Sequence, residues 1–143
     1  FLTKGVIRAF YRNHEGLEYN KHFFISNNMV GAYSSLITHK KNKINLQCLT
    51  DCQLWVADYK EIQKLYDLFP EFERFGRRIA ELFFVNKEQR ELEIVLLNAD
   101  ERYLIFQKEY PELEQLIPQY HIASYLGISA TQLSRIRRKI SEK

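Results

Sequence analysis

The sequence has 143 residues, of which 45% are hydrophobic and 27% are charged, and its formal net charge is +3. This composition excludes a disordered or collagen-like chain, and the length suffices for one ordinary domain or two small ones. The charge is uneven, since residues 115–143 carry a net +4 while residues 81–114 carry a net −5. A basic end can attract a polyanion, although charge runs are more often only a solvated surface.

Cysteine content and hydropathy indicate a cytoplasmic protein without a membrane partner. No segment approaches the ~20 apolar residues that span a bilayer, and no signal peptide is visible. Cys48 and Cys52 lack the second cysteine pair of a zinc site, so we predict that they are small buried hydrophobes. The chain opens inside a predicted strand and its only methionine is Met29. We therefore expect the natural N-terminus to be absent from this sequence.

The first 57 residues have the character of β-strands. Residues 6–11 are rich in β-branched and aromatic side chains, and the polar cluster at 13–16 predicts a turn. Residues 17–23 then alternate, which predicts the second strand of a hairpin. The alternation places Glu18, Asn20 and His22 on one face and Leu17, Tyr19, Lys21 and Phe23 on the other. Further strands are predicted at 44–49 and 54–57, the latter buried.

The hydrophobic period changes at Asp58 to that of helices. A first helix carries Ile62, Leu65, Tyr66 and Phe69 on one face and ends or restarts at Pro70. A long helix is predicted over 71–97, with a heptad-like seam of Phe72, Phe75, Ile79 and Leu82. The seam predicts dimerisation, but a single amphipathic helix lying on its own domain explains it equally well.

A further helix is predicted before the C-terminal segment. It is capped by Asn98 or Asp100 and ends before Pro111. Its predicted buried face comprises Tyr103, Phe106 and Tyr110.

Residues 119–136 have the pattern of a helix-turn-helix. Ala123 is small where two helices approach, Gly127 suits a turn that needs positive φ, and Ser129 is a good N-cap for the second helix. The predicted buried faces of the two helices comprise Ile122, Leu126, Ile128, Leu133 and Ile136.

The second of these helices is predicted to contact DNA. Arg135 could bind guanine through its bidentate fork, and Arg137, Arg138 and Lys139 would bind phosphates. The alternative is a structural helical hairpin with a solvated basic face. The candidate DNA-binding residues are Ser129, Thr131, Gln132, Ser134, Arg135 and Arg138.

Residues 121–129, followed by 133–136, resemble the DNA-binding helices of the CRP/FNR superfamily of bacterial transcription regulators. The likeness is strongest to divergent members common in Bacteroidetes. Residues 4–11 and 16–18 resemble central strands of the cyclic-nucleotide-binding β-roll of that family. Residues 101–103 and 110–111 resemble the helix and proline that precede its helix-turn-helix.

The resemblance implies an α+β fold in three parts. Residues 1–70 would form a partial antiparallel β-roll, 71–97 a long dimerisation helix, and 98–143 a helix-turn-helix domain of the winged-helix type. It further implies a homodimer that binds double-stranded DNA, with RNA polymerase and a small-molecule effector of unknown identity as other partners. The opening strands of the β-roll are missing, and a wing would follow Lys143.

Three sequence features depart from the family pattern. Gly31 is followed by Ala32 instead of Glu, and no Arg lies between Arg12 and Arg74. Lys40, Lys41 and Lys43 could offer an anion only point charges, so we expect no binding of cyclic AMP tighter than about millimolar. Two cysteines cannot hold an iron–sulfur cluster, and no other cofactor is evident. Thr131 stands where relatives usually carry Glu, which leaves base preference at that position open.

Two other classes of function are weighed against a regulator. One is a sensor module for a cyclic nucleotide or another small molecule that acts mainly through protein contacts. The other is an enzyme, which is the least supported. The sequence has no nucleophile turn with a Ser/His/Asp arrangement, no glycine-rich phosphate loop and no metal-ligand helix motif. A scaffold role through the long helix is a further alternative.

Overall fold

The structure is a computed structural model that describes residues 1–142. The strands in this part of the chain form two small antiparallel sheets. One has three strands in the order β3-β2-β4, and the other pairs β1 with β5. The predicted hairpin is therefore present as β2 and β3. The strands are β1 (Leu2–Lys4), β2 (Ile7–Arg12), β3 (Glu18–Phe24), β4 (Asn45–Cys48) and β5 (Gln53–Leu54).

Helices make up most of the remaining described chain. The predicted long helix is confirmed as α3, which begins at Pro70, a residue suited to the first helical turn. The short helices α1 and α5 were not predicted. The helices are α1 (Tyr33–Thr38), α2 (Tyr59–Leu68), α3 (Pro70–Leu96), α4 (Ala99–Glu109), α5 (Leu113–Leu116), α6 (Gln119–Leu126) and α7 (Ala130–Ser141).

The β2–β3 turn is organised by Asn13. Its side-chain Oδ1 accepts hydrogen bonds from the backbone N–H groups of Glu15 and Leu17, at 3.1 and 2.8 Å. Gly16 adopts φ +84°, where a side chain would be strained. The two strands pair from Ile7 with Phe24 down to Arg12 with Glu18, with an irregularity after Ala9.

The first of two compact units combines the sheets with the C-terminal helices. It comprises Phe1–Trp55 and the residues from Ala99 onward. One apolar cluster runs from Phe23 of the sheet and Val6, just before β2, to the helix-turn-helix, so the two regions share a core. The predicted buried face of α4 is confirmed, because Tyr103, Phe106 and Tyr110 all belong to this cluster.

The second compact unit, Val56–Asn98, contains α2 and α3. The two helices approach closely at Gly76, where an added Cβ would lie 2.5 Å from the hydroxyl oxygen of Tyr66. Asp58 caps α2 by accepting from the backbone N–H of Lys60. Many apolar side chains of this unit are exposed, among them Phe72, Phe75, Leu82, Phe84 and Val95.

Two predictions about burial are wrong. The 54–57 segment is not a buried strand, because β5 ends at Leu54 and the side chains of Trp55 and Val56 are exposed. A strand in a two-stranded ribbon has a single neighbour and gains little cover from it. Cys48 is also exposed, at the end of β4, whereas Cys52 is partly buried against Gly5.

None of the described helices is long and apolar enough to cross a membrane. Within residues 1–142, no group of three His, Cys, Asp or Glu side chains could hold a metal ion. The described residues after Asn98 contain no strand, so the wing of a winged helix stays a prediction.

Candidate nucleic-acid interface

The α6–α7 segment has the geometry of a helix-turn-helix. Gly127 ends α6 in the left-handed region, at φ +70° and ψ +32°. The backbone N–H of Ile128 reaches back to the carbonyl of Ala123 at 3.0 Å, which closes the helix end. An added Cβ on Gly127 would meet no atom within 4 Å. Glycine is therefore required here by the backbone angle alone, as predicted for this turn.

Ser129 begins α7 with a reciprocal cap. Its hydroxyl oxygen accepts from the backbone N–H of Gln132 at 3.1 Å, and the Gln132 side chain accepts from the Ser129 N–H at 3.4 Å. This capping box satisfies two backbone donors at the start of α7. The capping box thus orders the N-terminal turn of α7. In a recognition helix, this is the turn that contacts base edges.

The two faces of α7 separate as the sequence predicts. Leu133 and Ile136 are buried in the shared core, together with Ile122 and Leu126 of α6, and Ile128 is partly buried. The six candidate DNA-binding residues are all exposed, and the structure brings them onto the first three turns of α7 and its cap. They are Ser129, Thr131, Gln132, Ser134, Arg135 and Arg138.

The basic side chains of α7 differ in their partners. Arg137 pairs with Glu114 at 3.7 Å, and Lys139 pairs with Asp100, so both face acidic groups of the same unit. Arg138 pairs with Glu142 at 3.6 Å on the exposed surface, where such a pair is weak. The predicted phosphate contacts of Arg137 and Lys139 would have to displace these pairs.

The side chain of Arg135 forms no hydrogen bond or ion pair within the described part of the chain. Its guanidinium is therefore available for a bidentate contact with a base.

Glu114 is held by a buried phenol as well as by Arg137. Tyr103 donates its hydroxyl hydrogen bond to Glu114 at 2.7 Å. Burial, and then this neighbouring carboxylate, raise the pKa of Tyr103 to about 12. The Tyr103 hydroxyl thus stays protonated at neutral pH and anchors α5 beside α4 and α7.

A polar cluster that the sequence did not predict joins α6 to the sheet. Arg8 on β2 is 5% exposed, and its guanidinium contacts Gln47 at 2.8 Å, Asn20 at 3.1 Å and Glu18 at 2.5 Å. The same Nη1 atom lies 3.2 Å from Nδ1 of His121 on α6. We call Arg8, Glu18, Asn20, His121 and Ser124 the sheet–helix contact.

Ser124 completes this contact at the edge of β3. Its hydroxyl accepts from the backbone N–H of Asn20 and donates to the backbone carbonyl of Glu18, both at 3.0 Å. Ser124 therefore satisfies backbone groups that an edge strand would otherwise leave open. The alternation of residues 17–23 had placed Glu18 and Asn20 on one face, but nothing in the sequence indicated what that face meets.

Glu18 also accepts from Arg12, which lies on the exposed part of β2. Hydrogen bonding from Arg12 lowers the pKa of Glu18, burial opposes this, and the Arg8 guanidinium adds to the lowering. Glu18 is thus ionised at neutral pH between two arginines.

The predicted dimerisation residues lie together on α3. Phe72, Phe75 and Leu82 are exposed and Ile79 is partly buried, so most of this seam is open in the single chain. Lys40, Lys41 and Lys43 are exposed between α1 and β4.

Solved regulators share this fold. FixK2 from Bradyrhizobium japonicum matches with a TM-score of 0.86 at 15% identity, over 99% of this chain and 73% of that one. A putative transcriptional regulator of the crp/fnr family from Eubacterium rectale gives 0.74 at 16% identity, over 98% and 67%. The c-di-GMP-responsive global regulator CLP of Xanthomonas campestris gives 0.71 at 17% identity, over 99% and 76%.

No protein-family model and no curated protein matches the sequence. The structural matches confirm the α+β fold that the resemblance implied, which is the fold of CRP/FNR transcription regulators. At these identities the likeness establishes the fold alone.

Proposed function

We propose, from a fold shared with the CRP/FNR regulators, that this chain is a sequence-specific DNA-binding transcription regulator of the cytoplasm. The observation that carries the proposal is α7, a capped helix with a polar exposed face and the open guanidinium of Arg135. Such a helix can enter the major groove with its N-terminal residues against base edges. The chain would thus act by binding double-stranded DNA, without catalysis.

Each residue on the exposed face of α7 has an expected role. Arg135 would read guanine, and Gln132 and Thr131 would contact neighbouring bases or phosphates. Ser129 and Ser134 offer hydroxyls to the backbone of DNA, and Arg138 offers a charge to a phosphate.

The proposed regulator is a homodimer held by the α3 seam. Exposed phenylalanines on a helix of 27 residues are a surface that a second copy could cover. Two copies related by a two-fold axis would place their α7 helices in successive major grooves, about 34 Å apart, on a near-palindromic site. RNA polymerase and a small-molecule effector would be its further partners.

The experiment is a selection of bound fragments from random double-stranded DNA, followed by fluorescence polarisation on the selected site. We expect Arg135→Ala to lose about 1–3 kcal/mol of discrimination at one base position. The loss follows because one bidentate contact carries that base's identity.

Arg138→Ala is the matched comparison on the same helix. It removes the same charge from an exposed position, so it should weaken binding to all sequences alike and reduce the salt slope by about 1. Absence of tight binding to any fragment at low salt would contradict the proposed function. Equal effects of the two variants on every sequence would contradict the role given to Arg135.

A further inference from the structure

We propose that Arg8 and Asn20 of the sheet position the helix-turn-helix through His121, and that they do so only while His121 is neutral. The proposal rests on the proposed function, because the position of α6 matters for reading DNA. Arg8 and Asn20 are buried, so they would influence binding through the placement of α6 and not by touching DNA.

The donors around His121 fix its protonation state. Nδ1 of His121 lies 3.2 Å from Nη1 of Arg8 and 3.3 Å from Nδ2 of Asn20. A guanidinium can only donate hydrogen bonds. Nδ1 must therefore accept, and the ring is neutral with its proton on Nε2.

The orientation of Asn20 supports the same assignment. Its Oδ1 accepts from Arg8 at 3.1 Å, and its Nδ2 donates to the backbone carbonyl of His121 at 2.8 Å. Turning the amide over would place a donor against the guanidinium and an acceptor against the carbonyl. Nδ2 is thus a second donor facing Nδ1 of His121.

Protonation of His121 would break this arrangement. It would put an N–H where two donors now converge and a positive ring beside the Arg8 guanidinium. The charged groups that face His121 are Arg8 on β2 and Glu18 on β3, and the Tyr120 ring lies 4.1 Å from the His121 ring between centroids. Glu18 favours the charged ring, but it is already paired with Arg8 and Arg12.

The pKa of His121 follows the same direction. Burial lowers it first and the Arg8 charge lowers it further, against the opposing effect of Glu18. When α6 separates from the sheet, the ring regains its ordinary pKa of 6.5 and takes up a proton more readily. The contact is therefore fully favoured above about pH 6.5 and is weakened as the pH falls below that value.

Loss of the His121 hydrogen bonds would leave α6 held to the sheet by Ser124 and the apolar core alone, so its position would be less fixed. Ser124 and His121 lie on successive turns of α6, so the polar anchors to β2 and β3 are side by side. Because α6 and α7 share one apolar core, displacement of α6 would carry α7 with it.

The first experiment compares the wild-type chain with His121→Asn across pH 7.5 to 5.5, using polarisation on the selected DNA site. The asparagine amide oxygen can accept from Arg8 but does not titrate in this range. We expect wild-type affinity, relative to the variant, to fall by about fivefold, the lower end of ordinary coupling between sites. Parallel pH profiles of the two proteins would overturn the proposal.

The second experiment compares Arg8→Gln with Arg12→Gln. Both remove one positive charge from β2 and one partner from Glu18, but only Arg8 touches α6. We expect Arg8→Gln to weaken DNA binding at pH 7.5 by about fivefold and to flatten its pH profile, and Arg12→Gln to do neither. Equal behaviour of the two variants would argue against positioning by Arg8.

A third measurement needs no DNA. Nitrogen NMR of the wild-type chain should show His121 protonated on Nε2 at pH 7.5 with a pKa below 6.5. Protection factors of the α6 amides, which correct for the slower intrinsic exchange at lower pH, should fall with the pH in the wild-type chain but not in His121→Asn. A proton on Nδ1, or exchange with the same pH dependence in both proteins, would refute the contact. Failure to bind DNA while these signals appear would refute only the proposed function.

Discussion

The two compact units place phenylalanine in opposite environments. In the unit that contains the helix-turn-helix, Phe23 and Phe106 are 0% and 1% exposed. In the unit formed by α2 and α3, Phe75 and Phe84 are 57% and 68% exposed. Burial of such a ring stabilises a fold by about 1.5–3 kcal/mol, so the first unit draws this stabilisation from its own chain and the second draws much less. The proposed homodimer would give the α2–α3 unit the cover that its own chain does not supply.

The largest expected effect comes from emptying the core of the first unit. Phe106→Ala should destabilise the chain by about 3–5 kcal/mol, because the ring is enclosed by Phe23, Tyr110 and Tyr125 and would leave a cavity. Urea unfolding followed by circular dichroism measures this. Leu104→Ala on the same helix is the control, since Leu104 is exposed and its loss should stay within about 0.5 kcal/mol. Similar losses from both variants would contradict the contrast between buried and exposed apolar side chains.

The next effect tests whether a second copy covers the α3 seam. Phe75→Ala should raise the dimer dissociation constant about tenfold or more, because an aromatic ring central to an interface carries much of its binding energy. Sedimentation equilibrium over a range of concentrations measures the change.

Phe84→Ala is the matched control for that prediction. Phe84 is an equally exposed ring on the same helix but lies off the seam of Phe72, Phe75, Ile79 and Leu82. A wild-type chain that remains monomeric, or a dimer weakened as much by Phe84→Ala, would show that the seam has another role.

A smaller expected effect is the loss of stability when one glycine in each unit is replaced by alanine. Gly127→Ala should cost about 1–2 kcal/mol, because the residue needs positive φ although it has free space around it. Gly76→Ala should change stability by less than about 0.5 kcal/mol. There, the gain in helix propensity offsets a displacement of the Tyr66 ring, whose hydroxyl oxygen and Cζ would lie 2.5 and 2.8 Å from the added Cβ. The urea midpoints of the two variants, compared at an unchanged unfolding slope, measure both losses of stability. A larger loss for Gly76→Ala than for Gly127→Ala would mean that Tyr66 cannot move aside.

Local chemistry explains why the helix-turn-helix could be predicted. The turn at Gly127, the cap at Ser129 and the apolar spacing from Ile122 to Ile136 all act within about one or two helical turns. Such short-range patterns can be recognised in a single sequence. The structure confirms their geometry, while the DNA-binding roles of the exposed residues stay predictions.

Long-range pairing explains why the sheet–helix contact could not be predicted. Arg8 and His121 are separated by 113 positions, and Arg8 lies between the apolar residues Ile7 and Ala9 of β2. The burial of residues 54–57 was predicted from their apolar composition. Whether a side chain is buried, however, depends on which residues lie next to it in space. Trp55 and Val56 have the residue types of a core strand and yet lie in the open. Cys48 is exposed for the same reason, since its burial was predicted from residue type alone.

The first unit is discontinuous along the chain, and this has a consequence for protein synthesis. The sheet residues through Trp55 leave the ribosome well before the helices from Ala99 that complete their core. At ordinary rates of translation, synthesis of the intervening Val56–Asn98 takes roughly two to nine seconds. During this interval Phe23 lacks the helices that bury it, so the nascent hairpin exposes apolar surface of the kind that chaperones bind.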